Sequence, residues 1–280
     1  MEIFSIDAGE YSLDGGAIFG VVPKSLWSKV YPSDENNLCD LSMRCLLLVE
    51  GSRRILIDTG IGSKQDEKFN AIHHHLGMDN LLSSLTRAGF RPEDITDVLF
   101  THLHFDHCGG AVIKDAGGRP FHVFPQAEYW VSEVQWNLAM NPNPREKASF
   151  LKENILPLQD SGRLNLVKEE GRLFPGIDIR FFYGHTAGLM VPFIRKNNNT
   201  LVYVADLLPF AAHMPLAWVC GYDTQPLVSM QEKDSFLREA LEKDYSLYFE
   251  HDHYTECCNL QMTGKGIRVK DTFSREEWLR

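Results

Sequence analysis

Three histidines and one aspartate stand within six consecutive residues, in the order His-Leu-His-Phe-Asp-His. His102, His104 and Asp106 alternate, so in an extended segment their side chains point to one side. Two glycines at 109–110 permit a sharp turn or a close approach between backbone segments. Such a turn can bring His107 beside the other three side chains. Imidazole and carboxylate groups together suit zinc or another first-row metal. The segment therefore predicts a metal site.

A predicted strand leads directly into this histidine-rich segment. Residues 95–100 are rich in β-branched and apolar side chains and are bounded by polar ones. The candidate ligands would then lie on a loop at the carboxyl end of a strand, where α/β folds keep their functional groups. Predicted strands and helices intersperse along the rest of the chain, which indicates an α/β fold.

Composition narrows the class of protein. The chain has 280 residues and 44% hydrophobic residues, which is ample for a buried core. Its formal net charge is −10 and it has no basic run, which argues against a nucleic-acid partner. We expect no signal peptide and no membrane span, because the apolar runs are far shorter than ~20 residues. Six cysteines without a CxxC pair favour a reduced, cytoplasmic protein.

The histidine-rich segment resembles the HxHxDH signature of the metallo-β-lactamase superfamily. Other parts of the family's pattern follow the family's order along the chain. Asp58-Thr59-Gly60 resembles the family's Asp-Thr-Gly, Gly184-His185-Thr186 its second motif, and Asp206 its strand-end aspartate. The resemblance implies a four-layer αββα metallo-β-lactamase sandwich.

The resemblance covers nearly the whole chain and implies one domain over residues 1–280. Within it, an irregular aromatic stretch at about residues 7–41 is interpreted as a loop over the active site, with a plain surface excursion as the alternative.

The resemblance also implies two adjacent divalent metal ions, with zinc favoured. Asp58 would accept a hydrogen bond from a ligand histidine and orient it. The two ions would share a hydroxide that attacks the substrate, and Asp106 would relay a proton to the leaving group. One ion would be held by His102, His104 and His185, the other by Asp106, His107 and His251, with Asp206 as the bridge.

Two histidines compete for the last ligand position. His251 and His253 both follow a predicted strand at 245–250 and would face one side of it. His251 is nearer the strand end, and the family's last histidine is followed by an aspartate, as His251 is by Asp252. We therefore assign His251 as the ligand and leave His253 to the pocket wall or the surface.

An apolar and aromatic set of side chains is predicted to line the substrate pocket, as in most small-molecule sites. The chain is most similar to the branch that holds acyl-homoserine-lactone lactonases and methyl-parathion-type hydrolases. That similarity implies a metal-dependent hydrolase of a lipophilic small molecule, a lactone or an ester. The predicted pocket residues are Phe19, Leu26, Trp27, Phe105, Met190, Phe210, Met214 and Trp218.

One position departs from the lactonases. They place a tyrosine three residues after the bridging aspartate, as a donor to the substrate carbonyl. Here that position is Pro209, which has no donor. His213 and Tyr222 are the candidate replacements; a different substrate is the other explanation.

Alternative activities remain open at this level. A phosphotriesterase or a thioesterase of the same fold would use the same metal ligands. A thioesterase that acts on glutathione esters would also need a basic site for glutathione, and Lys265, Arg268 and Lys270 are only weak candidates for it. An oxidoreductase with iron in the same ligand cage is an alternative of another class. The expected partner is a small-molecule substrate, and a homodimer is left open.

Overall fold

The structure is a computed structural model that describes residues 1–76 and 80–280. The described residues divide into two compact units. Unit 1 consists of Met1–Tyr11 and Ser42–Glu169, and unit 2 of Ser12–Leu41 and Glu170–Arg280. Organisation of residues 1–280 as one domain stays a prediction.

Unit 1 is built on a mixed sheet with the strand order β1-β2-β3-β4-β7-β8, and β5 and β6 form a separate hairpin. From β3 to β8 the neighbours in the sheet run parallel. The carboxyl ends of β3 and β4 therefore lie at the same edge. The strands are β1 (Glu2–Asp14), β2 (Leu38–Glu50), β3 (Arg53–Ile57), β4 (Asp97–Leu99), β5 (Val112–Lys114), β6 (Pro120–His122), β7 (Glu128–Ser132) and β8 (Leu164–Val167). β1 and β2 each begin in one unit and end in the other.

Unit 2 is built on a second sheet with the order β15-β14-β13-β12-β11-β10-β9. All neighbouring strands are antiparallel except β12 and β13, which are parallel. The strands are β9 (Gly171–Phe174), β10 (Ile177–Phe182), β11 (Leu189–Lys196), β12 (Asn199–Tyr203), β13 (Ser246–Tyr248), β14 (Cys257–Thr263) and β15 (Gly266–Phe273).

The α-helices of the described residues are short apart from one of 17 residues, α8. None of them has both the length and the apolar character that crossing a membrane requires. The helices are α1 (Gly15–Phe19), α2 (Lys24–Trp27), α3 (Glu67–His73), α4 (Asn80–Arg87), α5 (Phe105–Cys108), α6 (Glu133–Met140), α7 (Lys152–Asp160), α8 (Pro226–Glu242) and α9 (Arg275–Trp278).

The stretch at 7–41 is more regular than expected. β1 extends to Asp14. The apolar and β-branched residues at 17–22 predict a strand, but in the structure these residues begin within helix α1. The Asp14 carboxylate caps this helix, because it accepts hydrogen bonds from the backbone N–H groups of Gly16 and Ala17. The hydrogen bonds of this helix cap thus outweigh the tendency of the β-branched residues at 17–22 to form a strand. The position of this stretch over the active site stays a prediction.

Other boundaries also differ from expectation. The sequence of residues 128–140 predicts a helix throughout, but the segment starts as strand β7. Helix α6 begins only after Ser132, whose side chain accepts a hydrogen bond from the backbone N–H of Gln135. The sequence predicts a helix at 147–155, and the structure has helix α7 there, displaced to Lys152–Asp160. The sequence also predicts a helix from Asp79 to Ala88, which is found as α4, and Asp79 lies outside the described residues.

Candidate metal centre

In unit 1 the chain leaves β4 and passes through residues 101–104 into the short helix α5. His102 and His104 are both buried there, and Nε2 of His102 lies 3.0 Å from Nδ1 of His104. The other ring nitrogen of His102, Nδ1, lies 3.0 Å from the hydroxyl of Thr101. This contact orients the ring and leaves Nε2 to face its neighbour. Two imidazole nitrogens facing each other in this way can bind one cation.

Asp58 contacts a histidine that is a predicted metal ligand. Its Oδ2 lies 3.1 Å from Nδ1 of His107. Its carboxylate also accepts hydrogen bonds from the backbone N–H and the hydroxyl of Thr101, at 2.8 and 2.7 Å. Asp58 adopts a left-handed backbone conformation with φ of 57°, an uncommon state that the surrounding contacts hold. Thr101 and Asp58 therefore fix the orientation of two histidine rings.

The two glycines after the histidines allow a close approach between backbones. A Cβ atom on Gly109 would lie 2.2 Å from the carbonyl oxygen of Ile61, and one on Gly110 would lie 2.0 Å from that of Thr59. Any side chain at these positions would push the loop away from the segment after β3. The sequence signal of a glycine pair thus has a steric cause.

In unit 2 one carboxylate stands between two imidazoles. Oδ2 of Asp206 lies 3.0 Å from Nε2 of His185, and Oδ1 of Asp206 lies 3.2 Å from Nε2 of His251. All three side chains are buried. A carboxylate that directs one oxygen toward each of two imidazoles has the geometry expected of a ligand shared by two ions.

The sheet of unit 2 explains why these residues meet. β12 and β13 are parallel and pair Tyr203 with Tyr248, so the segments that follow both strands emerge at one edge. Asp206 lies in a 3₁₀ turn just after β12, and His251 follows β13. β10 also runs in the same direction, because it is antiparallel to β11 and β11 is antiparallel to β12. His185, which follows β10, therefore emerges at the same edge.

Asp223 supports His185, and sequence reasoning missed it. Oδ1 of Asp223 lies 3.0 Å from Nδ1 of His185. The next residue, Thr224, donates to the carbonyl oxygen of His185 from both its N–H and its hydroxyl, each at 3.0 Å. Burial alone disfavours a charged imidazole, but Asp206 and Asp223 together raise the pKa of His185 to about 10. The two carboxylates thus favour positive charge at this position.

Two further polar contacts in unit 1 were also missed. The Tyr11 hydroxyl donates a hydrogen bond of 2.6 Å to Oδ2 of Asp106. Oε1 of Glu146 lies 3.8 Å from Nε2 of His104. No sequence pattern marks these residues, because Tyr11 and Glu146 lie 95 and 42 positions from their partners.

Unit 2 also distinguishes the two competing histidines. His251 is 2% exposed and faces Asp206, whereas His253 is partly exposed and its backbone N–H donates to the hydroxyl of Tyr31. The carboxylate of the intervening Asp252 accepts from the backbone N–H groups of Ala211, at 2.8 Å, and Thr255, at 2.9 Å. These bonds fix the turn after His251, and the geometry favours His251 as the ligand.

His213, one of the two candidate donors to substrate, is buried and contacts the backbone. Its Nε2 lies 3.2 Å from the carbonyl oxygen of Ile18, so in the neutral ring this nitrogen carries the hydrogen and Nδ1 has none to give. Burial lowers the pKa of His213 to about 3, which keeps the ring neutral. The role of His213 as a donor to substrate stays a prediction. Tyr222 is 43% exposed and stays a predicted donor.

Most of the predicted pocket residues belong to a packed core. The rings of Phe19 and Trp27 stack 4.9 Å apart, and Phe19 also lies 5.0 Å from His213. Five of the predicted pocket residues are 3% exposed or less, and their assignment to the pocket wall stays a prediction. These buried side chains are Phe19, Trp27, Met190, Phe210 and Met214. Leu26, Phe105 and Trp218 are accessible and stay predicted pocket residues.

The donors of both units fit divalent metal ions. Each predicted ligand supplies an imidazole nitrogen or a carboxylate oxygen, which suit zinc, and in each unit carboxylates lie beside the imidazoles and favour positive charge. The side chains with the chemistry to hold an ion are His102, His104, Asp106 and His107 in unit 1 and His185, Asp206 and His251 in unit 2.

Comparison with known proteins establishes the family. Residues 44–249 match the metallo-beta-lactamase superfamily, so the chain belongs to that superfamily. The α/β fold with its two sheets is the metallo-β-lactamase sandwich class that the sequence predicted. Family membership and this ligand chemistry make the chain a metal-dependent hydrolase.

Individual relatives are also members of this kind of fold. The crystal structure of a probable metal-dependent hydrolase from Staphylococcus aureus superposes with a TM-score of 0.89 at 30% identity, covering 98% of this chain and 97% of that one. An N-acyl homoserine lactonase of Bacillus cereus is 24% identical over 238 residues, which cover 77% of this chain and 83% of the relative. The dizinc quorum-quenching lactonase AidC has a TM-score of 0.78 at 24% identity, covering 98% and 95% of the two chains.

Proposed function

We propose that this chain is a binuclear metal-dependent hydrolase of a lipophilic lactone. In this proposal His102, His104 and His185 hold one ion, Asp106, His107 and His251 hold the other, and Asp206 is shared. The observation that carries it is the Asp206 carboxylate, whose two oxygens face two different histidines at 3.0 and 3.2 Å. A carboxylate that binds a single ion does not need to direct its two oxygens toward two different histidines.

The lactone as substrate class rests on the relatives. The Bacillus cereus relative is named an N-acyl homoserine lactonase, and AidC is described as a dizinc lactonase in complex with its product. Zinc as the native metal rests on the same description and on the imidazole-rich ligand set.

The protein groups around the ligands hold the site in one geometry. Two bound ions would supply a hydroxide near neutral pH and polarise the substrate carbonyl. Asp58 and Asp223 each accept from a ligand imidazole and fix the ring orientation and the tautomer that leaves the other nitrogen to bind. Asp106 would hold a proton and pass it to the leaving alkoxide as the ring opens. Tyr222 would donate to the carbonyl oxygen, the task that Pro209 cannot perform.

The test is a substrate panel on zinc-loaded protein that contains N-acyl homoserine lactones, aryl esters, phosphotriesters and thioesters. We expect the lactones to have the highest kcat/KM, chelation to abolish turnover, and zinc to restore it. Asp206→Asn should lower both metal content and turnover, whereas Asp271→Asn, at an exposed position, should leave both unchanged. A phosphotriester or thioester as the best substrate would replace the lactone assignment, and turnover by fully metal-free protein would overturn the hydrolase mechanism.

The donor assignment is tested separately. Tyr222→Phe removes only a hydroxyl group, and loss of a donor to the developing oxyanion typically lowers kcat by about 10²–10³. We expect this loss in kcat on the best lactone with metal content unchanged. Full turnover by Tyr222→Phe would contradict the donor role.

A further inference from the structure

Tyr11 makes a strong hydrogen bond to the predicted ligand Asp106. The phenol donates to Oδ2 at 2.6 Å, within the range of O–H bonds to a charged carboxylate, which are roughly twice as strong as bonds between neutral groups. Tyr11 is 2% exposed, so water does not compete freely for this bond. The same Oδ2 lies 3.8 Å from Nε2 of the neighbouring His107.

The backbone that carries Tyr11 is itself fixed within unit 1. The preceding residue, Glu10, exchanges two backbone hydrogen bonds with Leu76, at 3.1 and 2.8 Å. These two residues join β1 to the segment that follows helix α3. The phenol of Tyr11 therefore extends from a strand that is held in place just before it.

Helix α3 also contacts the residue before Asp106. The ring of Phe105 lies 5.1 Å from that of Phe69 and 4.9 Å from that of His73. The start of α5 is thus held at two adjacent positions, by ring packing on Phe105 and by the phenol on Asp106. Because the backbone bonds at Leu76 join the two supporting elements, β1 and the α3 segment form one support behind the metal-binding loop.

We propose that Tyr11 is a positioning residue that fixes the orientation of the Asp106 carboxylate toward its metal ion. The terminal torsion of an aspartate is broad, so a carboxylate without a partner samples many orientations. A bond that holds Oδ2 selects one of them before the ion arrives. This inference rests on the proposed function, since it requires Asp106 to be a metal ligand.

The experiment compares Tyr11→Phe with a matched control and a reference. Tyr129→Phe is the control, because Tyr129 is also buried in unit 1 and its hydroxyl donates to the backbone carbonyl oxygen of Phe124 at 3.1 Å. Asp106→Asn is the reference for loss of the ligand. For each protein, zinc affinity is measured by competition with a chromophoric chelator, and the urea midpoint is measured on metal-free protein.

Groups that orient metal ligands typically contribute about 10–100-fold to affinity. We expect Tyr11→Phe to weaken one of two zinc equivalents by that factor and Tyr129→Phe to leave both affinities unchanged, even if their urea midpoints fall alike. If Asp106→Asn loses one zinc equivalent but Tyr11→Phe keeps wild-type zinc affinity, the inference is overturned. An equal loss of zinc affinity in Tyr11→Phe and Tyr129→Phe would also overturn it. Two zinc equivalents retained in Asp106→Asn would overturn the ligand assignment of the proposed function instead.

Discussion

A buried lysine holds the segment that follows Asp206. Lys233 of α8 is 3% exposed, and its ammonium group donates to three backbone carbonyl oxygens, those of His213 at 3.0 Å, Pro215 at 3.1 Å and Trp218 at 2.6 Å. An ammonium group has three N–H donors, so each of them has a partner. Replacement by methionine keeps much of the side-chain volume and removes all three bonds.

The size of the effect follows from two opposing contributions. Hydrogen bonds from a charged donor contribute about 1.5–3 kcal/mol each, so three of them contribute roughly 5–9 kcal/mol. Burial opposes the charge and lowers the pKa of Lys233 from 10.5 to about 8. At about 1.4 kcal/mol per pKa unit this penalty is roughly 3 kcal/mol, and methionine does not incur it. Lys233→Met should therefore lower the free energy of unfolding by about 2–6 kcal/mol.

The assay is urea unfolding of Lys233→Met at neutral pH, followed by tryptophan fluorescence, with limited proteolysis to locate newly accessible chain. Cleavage should appear at residues 213–218 at urea concentrations where the wild type is intact. The matched control is Lys243→Met, since Lys243 is the C-cap residue of the same helix and its exposed ammonium group pairs with the partly exposed Glu239. Exposed pairs of this kind contribute little. Equal stability of Lys233→Met and wild type, or an equal loss in the control, would refute the reasoning.

Three other predictions follow from single contacts. His251→Ala should lose one zinc equivalent by elemental analysis while His253→Ala keeps both, because only His251 faces Asp206; the opposite result would move the ligand to His253. Gly110→Ala should cost about 1–3 kcal/mol or more in urea unfolding, because its Cβ would lie 2.0 Å from a backbone carbonyl oxygen, whereas Gly264→Ala enters open space and should cost less. Burial lowers the pKa of His213 from 6.5 to about 3. Below pH 6.5 the unfolded chain therefore binds a proton that the folded chain does not. The free energy of unfolding then falls by about 1.4 kcal/mol for each pH unit of acidification. His213→Gln should therefore show a shallower loss of stability between pH 7 and pH 5, and an unchanged slope would show that His213 is not the source.

The candidate ligands could be predicted from the sequence because each has a local signal. His102, His104 and His107 form a dense motif, and His185 and Asp206 follow strands with clear apolar patterns. Their supporting partners have no such signal. Asp223 contacts a residue 38 positions away, and its neighbours carry no ligand pattern. Such contacts depend on how the chain folds back on itself, which residue types and spacing alone do not specify.

The predicted pocket residues show a different limit of reasoning from the sequence. Aromatic composition favours a ligand pocket and a hydrophobic core equally, and only burial distinguishes them. Phe19 and Trp27 are predicted pocket residues, and in the structure their rings are buried and stack 4.9 Å apart. The composition of residues 17–22 likewise predicts a strand, whereas the cap from Asp14 starts helix α1 at Gly15. In both cases a single contact decides between structures that the composition allows.

In unit 2, the segment between Asp206 and Asp223 runs from a predicted metal ligand to the surface of the unit. It begins at a predicted ligand and ends at the carboxylate that orients His185, and Lys233 holds its middle by three carbonyl oxygens. Its inward side chains, His213 among them, are occupied by packing and by backbone contacts. Tyr222, near the end of this segment, is 43% exposed and carries a hydroxyl. In the proposed function it is therefore a better candidate than the buried His213 for the donor that Pro209 cannot be.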